Sequence, residues 1–135
     1  MTADLNKTII RKIFEEGINN NNTSVIEEYI SPSYVNHDMP SPAPGTDGFK
    51  QVIRGFREAF PDLHITIDEV VADGDIVATR GSFTGTNKGA FMGMPATGKQ
   101  VKVNYMDFWK LKDGKCIENW VRMDIAGLMQ QLGAS

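Results

Sequence analysis

The hydrophobic period of the chain changes once, near His64, and that change restricts the fold more than any other feature. Before it, apolar residues recur three and four apart: Leu5, Ile9, Ile10, Ile13 and Phe14 fall on one helical stripe. After it, the segments HITIDEVVADGDIVATRGSFTG and KQVKVNYMDFWKLKDGKCIENWVRMD alternate with a period of two, as half-buried strands do. Helices first and antiparallel strands afterwards predict an α+β fold, with the helices packed on one face of a curved sheet. No linker or repeat divides the 135 residues. One domain over 1–135 is expected, long enough to bury roughly two thirds of the surface its unfolded form exposes.

Within the helical half, the tract NNNNTS reads as a turn, because asparagine tolerates left-handed backbone, and Thr23 or Ser24 is the expected cap of a short second helix, SVIEEYI. The proline-dense SYVNHDMPSPAPG predicts a short extended piece followed by a surface loop. A third helix is predicted from Thr46 or Asp47, carrying Phe49, Val52, Ile53, Phe56 and Phe60 on one stripe and stopping at Pro61. In the strand half, Asp73-Gly74 and Asp113-Gly114 are the expected turns of two hairpins. Between the hairpins, TNKGAFMGMPATG (residues 86–98) either covers an opening or packs on the sheet edge. IAGLMQQL closes the chain as a short helix ending at Gly133.

Composition narrows the function. Apolar residues make up 41% and charged residues 23%, the profile of an ordinary globular protein. A net charge of −3 with no cluster of Lys and Arg argues against a nucleic-acid surface, which needs concentrated positive charge. The first residues do not read as a signal peptide, and no stretch is long and apolar enough to span a membrane. With Cys116 alone no intramolecular disulfide forms, and a cytoplasmic location is expected. The two histidines, His37 and His64, offer no zinc-like spacing, so a metal cofactor is not expected.

The second hairpin allows a sharper reading. A two-residue turn at Asp113-Gly114 would set Trp109 opposite Glu118, Asp107 opposite Trp120 and Tyr105 opposite Arg122. One face would then carry Tyr105, Asp107, Trp109, Glu118, Trp120, Arg122 and Asp124; the other would carry Met106, Phe108, Ile117, Val121 and Met123, with Asn104 and Asn119. The plain reading puts the charged face in water. The alternative makes it the wall of a ligand cavity, since large aromatics interleaved with carboxylates and an arginine suit a mostly apolar pocket with a few convergent polar groups. A one-residue bulge would reverse the phase of one strand.

Asp124 carries two readings. Preceding IAGLMQQL, it is placed to accept hydrogen bonds from the first amides of that helix. At the mouth of a dry cavity it would instead serve as a general acid or base. Tyr34 and Asn36, two apart in an extended segment, point the same way, and His37 points oppositely unless the chain turns. Arg80 is read as a structural partner of Glu69 across the first hairpin.

The stretches SPSYVNHDMP, GFREAFPDLHITIDEVVADGD, ATRGSFTGTNKGAFMGMPATGK and DGKCIENWVRMDIAGLMQQLG together resemble the SnoaL-like polyketide cyclases, the ester cyclase group of the nuclear transport factor 2-like superfamily. The resemblance spans nearly the whole chain. It implies a cone-shaped α+β barrel, a homodimer, and a deep apolar cavity for a small ligand between sheet and helices. It also implies metal-free and nucleotide-free intramolecular aldol chemistry, in which one carboxylic acid handles the proton. The aspartate of the terminal W…D motif matches Asp124, making it the expected acid/base, with Trp120 as a wall and Tyr34, Asn36 and His37 as substrate contacts. Limonene epoxide hydrolase resembles the chain more distantly; its Asp-Arg-Asp set would map to Asp107, Arg122 and Asp124 only if both carboxylates reach Arg122. A third reading is a dimeric pocket protein that binds an apolar metabolite without turning it over.

Overall fold

A computed structural model of the chain describes residues 2–133. Helix α1 (Ala3–Lys12) starts at Thr2, whose hydroxyl accepts from the Leu5 amide at 3.1 Å, and it runs directly into π-helical turns over Ile13–Asn19. Ile9, Ile10, Ile13, Phe14 and Ile18 form the buried stripe of this long element. Leu5, expected on that stripe, is 42% exposed, and Asn6 is buried instead, its Nδ2 donating to the Gly74 carbonyl. Asn21 turns the chain at φ 54°. Asn22, rather than Thr23 or Ser24, caps α2 (Thr23–Tyr29), because its carboxamide oxygen accepts from the Ser24 amide at 3.2 Å.

Strand β1 (Ile30–Asn36) leads through the proline-rich loop to α3 (Gly45–Ala59), which starts one or two residues before the expected Thr46 or Asp47. Thr46 does not cap; its hydroxyl donates to the Ile30 carbonyl and ties the helix to β1. Gly48 must be glycine here, since a Cβ would lie 1.9 Å from the Ala43 carbonyl oxygen. Strands β2 (His64–Asp73), β3 (Ile76–Thr86), β4 (Gln100–Lys112) and β5 (Lys115–Met123) follow, and α4 (Ile125–Gln131) closes the described chain.

The five strands form one mixed sheet in the order β1-β5-β4-β3-β2, antiparallel except for the parallel pair β1 and β5. It does not close, and β1 and β2 are its edges. Helix α1 and the π turns lie over β2 and β3, and α3 lies over β1, so the helices cover one face as predicted for an α+β chain. Irregular register at Ile67/Glu69 in β2 and at Lys110/Leu111 between β4 and β5 marks bulges, which bend strands and curl the sheet around its helices.

The turns divide. At Asp113-Gly114 both residues have positive φ, 51° and 78°, the type I′ geometry expected of Asp-Gly. The first hairpin turns at Gly74-Asp75 instead of Asp73-Gly74, because Asp73 pairs with Ile76 and Gly74 takes the positive φ of 60°. Arg80 Nε pairs with Glu69 Oε1 at 2.7 Å, as expected. The segment between β3 and β4 packs against the end of α3: buried Asn87 accepts from the Thr97 amide at 2.8 Å and donates to the Gly89 carbonyl at 2.9 Å, and Phe91 packs on Phe56 and Phe60. The segment thus packs on the end of α3 and not on the sheet edge, and none of residues 86–98 lines the cavity.

Candidate functional site

The site grows from the alternation of β4. Tyr105, Asp107, Trp109 and Leu111 are buried, whereas Met106 and Phe108 are 66% and 55% exposed. The inward side of β4 is therefore the face with the carboxylate and the tryptophan. Facing it are Phe14 and Ile18 from the π turns and Phe49, Val52, Ile53 and Phe56 from α3, and the space between is an apolar cavity. Its volume is about 100 Å³, below the roughly 300–1,000 Å³ of sites that take drug-sized ligands, which restricts it to a small guest. Tyr34 and Asn36 of β1 point into it together, as their spacing predicts.

The expected pairing of β4 with β5 fails by one residue. The turn sets Lys112 opposite Lys115 and Leu111 opposite Cys116, but Lys110 then pairs with Glu118, so Ile117 is an extra residue on β5. Beyond this bulge Trp109 opposes Asn119, Phe108 opposes Trp120 and Met106 opposes Arg122. Every later β5 side chain is reversed. Asn119, Val121 and Met123 line the cavity, and Glu118, Trp120 and Arg122 lie on the outer face. The broken alternation at Cys116-Ile117, two apolar residues in succession, is the one sequence sign of it.

His37, Trp120 and Arg122 are thus brought together outside the cavity. The His37 ring stacks on Trp120 with centroids 4.9 Å apart and 19° between planes, and His37 Nε2 lies 3.0 Å from Glu118 Oε1. Arg122 pairs with Asp38, whose other oxygen accepts from the Val121 amide at 2.8 Å. That pairing, first through the Arg122 hydrogen bond, holds the Asp38 carboxyl below the usual range. Arg122 is therefore out of reach of buried Asp107, and the Asp-Arg-Asp set needed for the epoxide hydrolase reading does not assemble. Asp124 is exposed and absent from the cavity wall; its Oδ1 accepts from the Gly127 amide at 2.9 Å, a cap on α4.

Asp107 is the carboxylate of the cavity wall. It is 5% exposed, and burial pushes its carboxyl up to about 7, against opposing hydrogen bonds led by the Thr79 hydroxyl. Thr79 sits directly opposite on β3, within hydrogen-bond reach of both Asp107 Oδ1 and, at 3.4 Å, the Tyr105 hydroxyl. One hydroxyl has one proton to give, so the three oxygens form a small shared relay. Burial also raises Tyr34, and it pushes Tyr105 up to about 12, so both phenols stay protonated at neutral pH. Tyr34 donates to Asn119 Oδ1 at 3.2 Å, and Asn119 Nδ2 donates to the Phe108 carbonyl at 2.9 Å. Asn36 accepts from the amides of Asp38 and Met39 at 2.9 and 3.0 Å, which fixes the chain at the mouth.

No lysine, arginine or histidine lines the cavity, so no fixed cation there would hold an anionic ligand. Among the described residues no three His, Cys, Asp or Glu side chains converge as a metal-ligand set. Cys116 is fully buried and burial raises its thiol, which leaves it protonated and unsuited to attack. The arrangement suits proton transfer to and from a neutral, largely apolar guest. Asn119, Val121 and Met123 are wall residues that sequence reasoning missed because of the bulge, and Thr79, which does not line the cavity, was missed as the partner of Asp107.

An open mixed sheet wrapped around helices, with an apolar cavity and one buried acid, defines a small-molecule pocket protein of the cone-shaped α+β type. The SnoaL-like polyketide cyclase family model matches residues 8–132, and the chain belongs to that family. TsrD from Streptomyces laurentii is 26% identical with a TM-score of 0.91, the alignment covering 100% of this chain and 99% of that one. A SnoaL-like protein from Jannaschia sp. CCS1 is 25% identical, with 98% and 94% covered and a TM-score of 0.88. IdmH from Streptomyces antibioticus, a candidate polyketide cyclase, is 29% identical, with 95% and 98% covered and a TM-score of 0.81. No curated protein matches the sequence.

Proposed function

We propose that the chain is a cyclase or isomerase that acts on a small neutral carbonyl compound by general acid/base catalysis, with Asp107 as the proton carrier. The observation that carries this reading is a carboxyl poised near neutrality by burial in an apolar, aromatic cavity. A group with its pKa near the working pH both takes and returns a proton effectively. In an intramolecular aldol closure, the Asp107 carboxylate removes a proton from the carbon next to a carbonyl. The resulting enolate carbon forms a bond to a second carbonyl carbon, and the new alkoxide takes the proton back from the Asp107 carboxylic acid. Proton and electron pairs balance with no further reactant. The cavity contributes by holding the chain folded so that the two carbons meet.

Asp124, the residue expected from the terminal motif, has no part in this reading, because its exposed carboxylate is engaged with the Gly127 amide. A homodimer through the outer sheet face accompanies the proposal: Val35, Met106, Phe108 and Trp120 are 50%, 66%, 55% and 36% exposed there.

The test is deuterium uptake at the carbon next to the carbonyl of small aryl β-diketones in D2O, followed by proton NMR. It reads the first step without the native substrate. The wild-type protein is expected to accelerate exchange, and Asp107→Asn to reduce that acceleration by at least about a hundredfold, the low end of general acid/base contributions. Ligand binding without exchange would favour a carrier instead of an enzyme.

A further inference from the structure

Thr79 stands behind the cavity wall, beside its acid. It is 4% exposed and does not line the cavity, whereas its ladder partner Asp107 and its diagonal neighbour Tyr105 both do. Its hydroxyl donates to Asp107 Oδ1 and lies 3.4 Å from the Tyr105 hydroxyl. Gly81, directly opposite Tyr105, sends no side chain toward the phenol, so the diagonal contact with Thr79 is left open to it. An ionised carboxyl only accepts. The threonine proton then goes to Oδ1, and the phenol, which keeps its own proton, is free to donate to Oγ1. A β-branched side chain is stiff about χ1, so the Thr79 hydroxyl is aimed before any guest arrives.

Little else competes with it. The Trp109 indole and the Thr79 amide also favour the ionised carboxyl, but the Thr79 hydroxyl is the first of the hydrogen bonds that oppose burial. The titratable groups around Asp107 are Tyr105 on its own strand, Tyr34 of β1 and Cys116 of β5, and burial raises all three, so they stay neutral. Asp68 of β2 acts on Tyr105 and not on Asp107, and no charged side chain of α3 or the π turns lines the cavity.

We infer that Thr79 is the positioning residue of the site: by holding Asp107 Oδ1 from behind the wall, it leaves Oδ2 as the oxygen that takes the proton from the guest. The inference rests on the reading that Asp107 carries that proton, and it adds what aims the carboxyl. The terminal torsion of an aspartate is broad and two-fold unless an oxygen is held. Proton transfer needs the reacting atoms within about 3–3.5 Å and aligned, so a held oxygen shortens the search. No proton passes through Thr79 in this role.

The experiment compares the wild type with Thr79→Val, which keeps the shape and loses the hydroxyl, and with Thr79→Ser, which restores it. The first readout is the titration midpoint of Asp107, followed by carboxyl-carbon NMR of 13C-aspartate-labelled protein and assigned with Asp107→Asn. The second is the pH profile of deuterium uptake by benzoylacetone. The wild type should titrate at about 7. Thr79→Val should titrate about one to two pH units higher, the usual worth of a hydrogen bond to a charged group. Its limiting exchange rate at high pH should nevertheless fall about 10- to 100-fold, because a more basic carboxylate that is no longer aimed works more slowly. Thr79→Ser should bring back the midpoint and most of the rate.

An unmoved midpoint in Thr79→Val would overturn the inference. So would a moved midpoint with a limiting rate as high as that of the wild type, or a Thr79→Ser no better than Thr79→Val. Should Thr79→Val not fold, Thr79→Ala set against Thr79→Ser carries the same comparison. The two readings fail apart. Exchange that is absent in the wild type, or that survives Asp107→Asn, removes the catalytic reading and the role of Thr79 with it, whereas exchange lost in Asp107→Asn and untouched in Thr79→Val removes Thr79 alone.

Discussion

Asp107 is a residue whose neighbours on the strand could not have predicted its behaviour. Alternation along β4 places it beside Tyr105 and Trp109, but only burial against Phe14 and α3 raises its carboxyl to about 7 from the ordinary 3.8. Between those values the folded chain holds a proton that the unfolded chain has released. Stability should therefore fall as pH rises from about 4 to about 7 and then level off, with this one group contributing on the order of 4 kcal/mol. Asp38 and Asp62 act in the opposite sense. Hydrogen bonds from Arg122 to Asp38, and from the Thr86 amide to Asp62, lower their carboxyls, so their contribution disappears only as pH falls below about 4. Urea unfolding of wild type and Asp107→Asn at pH 5 and pH 8 separates the windows. The wild type should lose stability between the two, and Asp107→Asn should be nearly flat; an equal loss in both would place the effect elsewhere.

At the scale of elements, two short pieces decide what the terminal motif does. The Ile117 bulge turns Trp120 and Arg122 outward, and the cap on α4 occupies Asp124. Asp124→Ala should therefore lower stability by about 1 kcal/mol, the usual worth of such a cap, seen as a lower urea midpoint with an unchanged slope. Diketone exchange per folded molecule should be unaffected. A hundredfold loss of exchange in that variant would return the proton-carrying role to Asp124. The extended run of π turns after α1 belongs to this scale as well. It keeps Phe14 and Ile18 on the cavity side of an element that a regular α-helix would rotate differently.

For the molecule as a whole, the curled sheet has two unequal faces. The inner one holds the cavity, and the outer one exposes Phe108 beside Trp120, with Met106 and Val35 close by in the ladder. Contiguous exposed apolar surface on a folded protein marks an interaction site, and a second copy is the partner the proposal names. Sedimentation velocity should find a dimer in the wild type and a shift to monomer in Met106→Glu/Phe108→Glu. A wild-type monomer, or a variant that still sediments as a dimer, would count against this interface.

By itself the sequence determined the class of fold and part of the site. The switch of hydrophobic period at His64 separates helices from sheet, Asp113-Gly114 has the residues that a type I′ turn demands, and spacing alone puts Tyr34 with Asn36 and Asp107 with Trp109. Each is a local consequence of backbone geometry. Tertiary structure decided which face of the second hairpin meets the helices and how β5 is phased along it. Alternation defines two faces without saying which is covered. The parallel pairing of β1 with β5, itself irregular between Ile30 and Val35, joins segments some eighty residues apart, and no local pattern carries its register. In the pairing of β5 with β4, the single extra residue Ile117 moved Trp120 and Arg122 out of the cavity and brought Asn119, Val121 and Met123 into it.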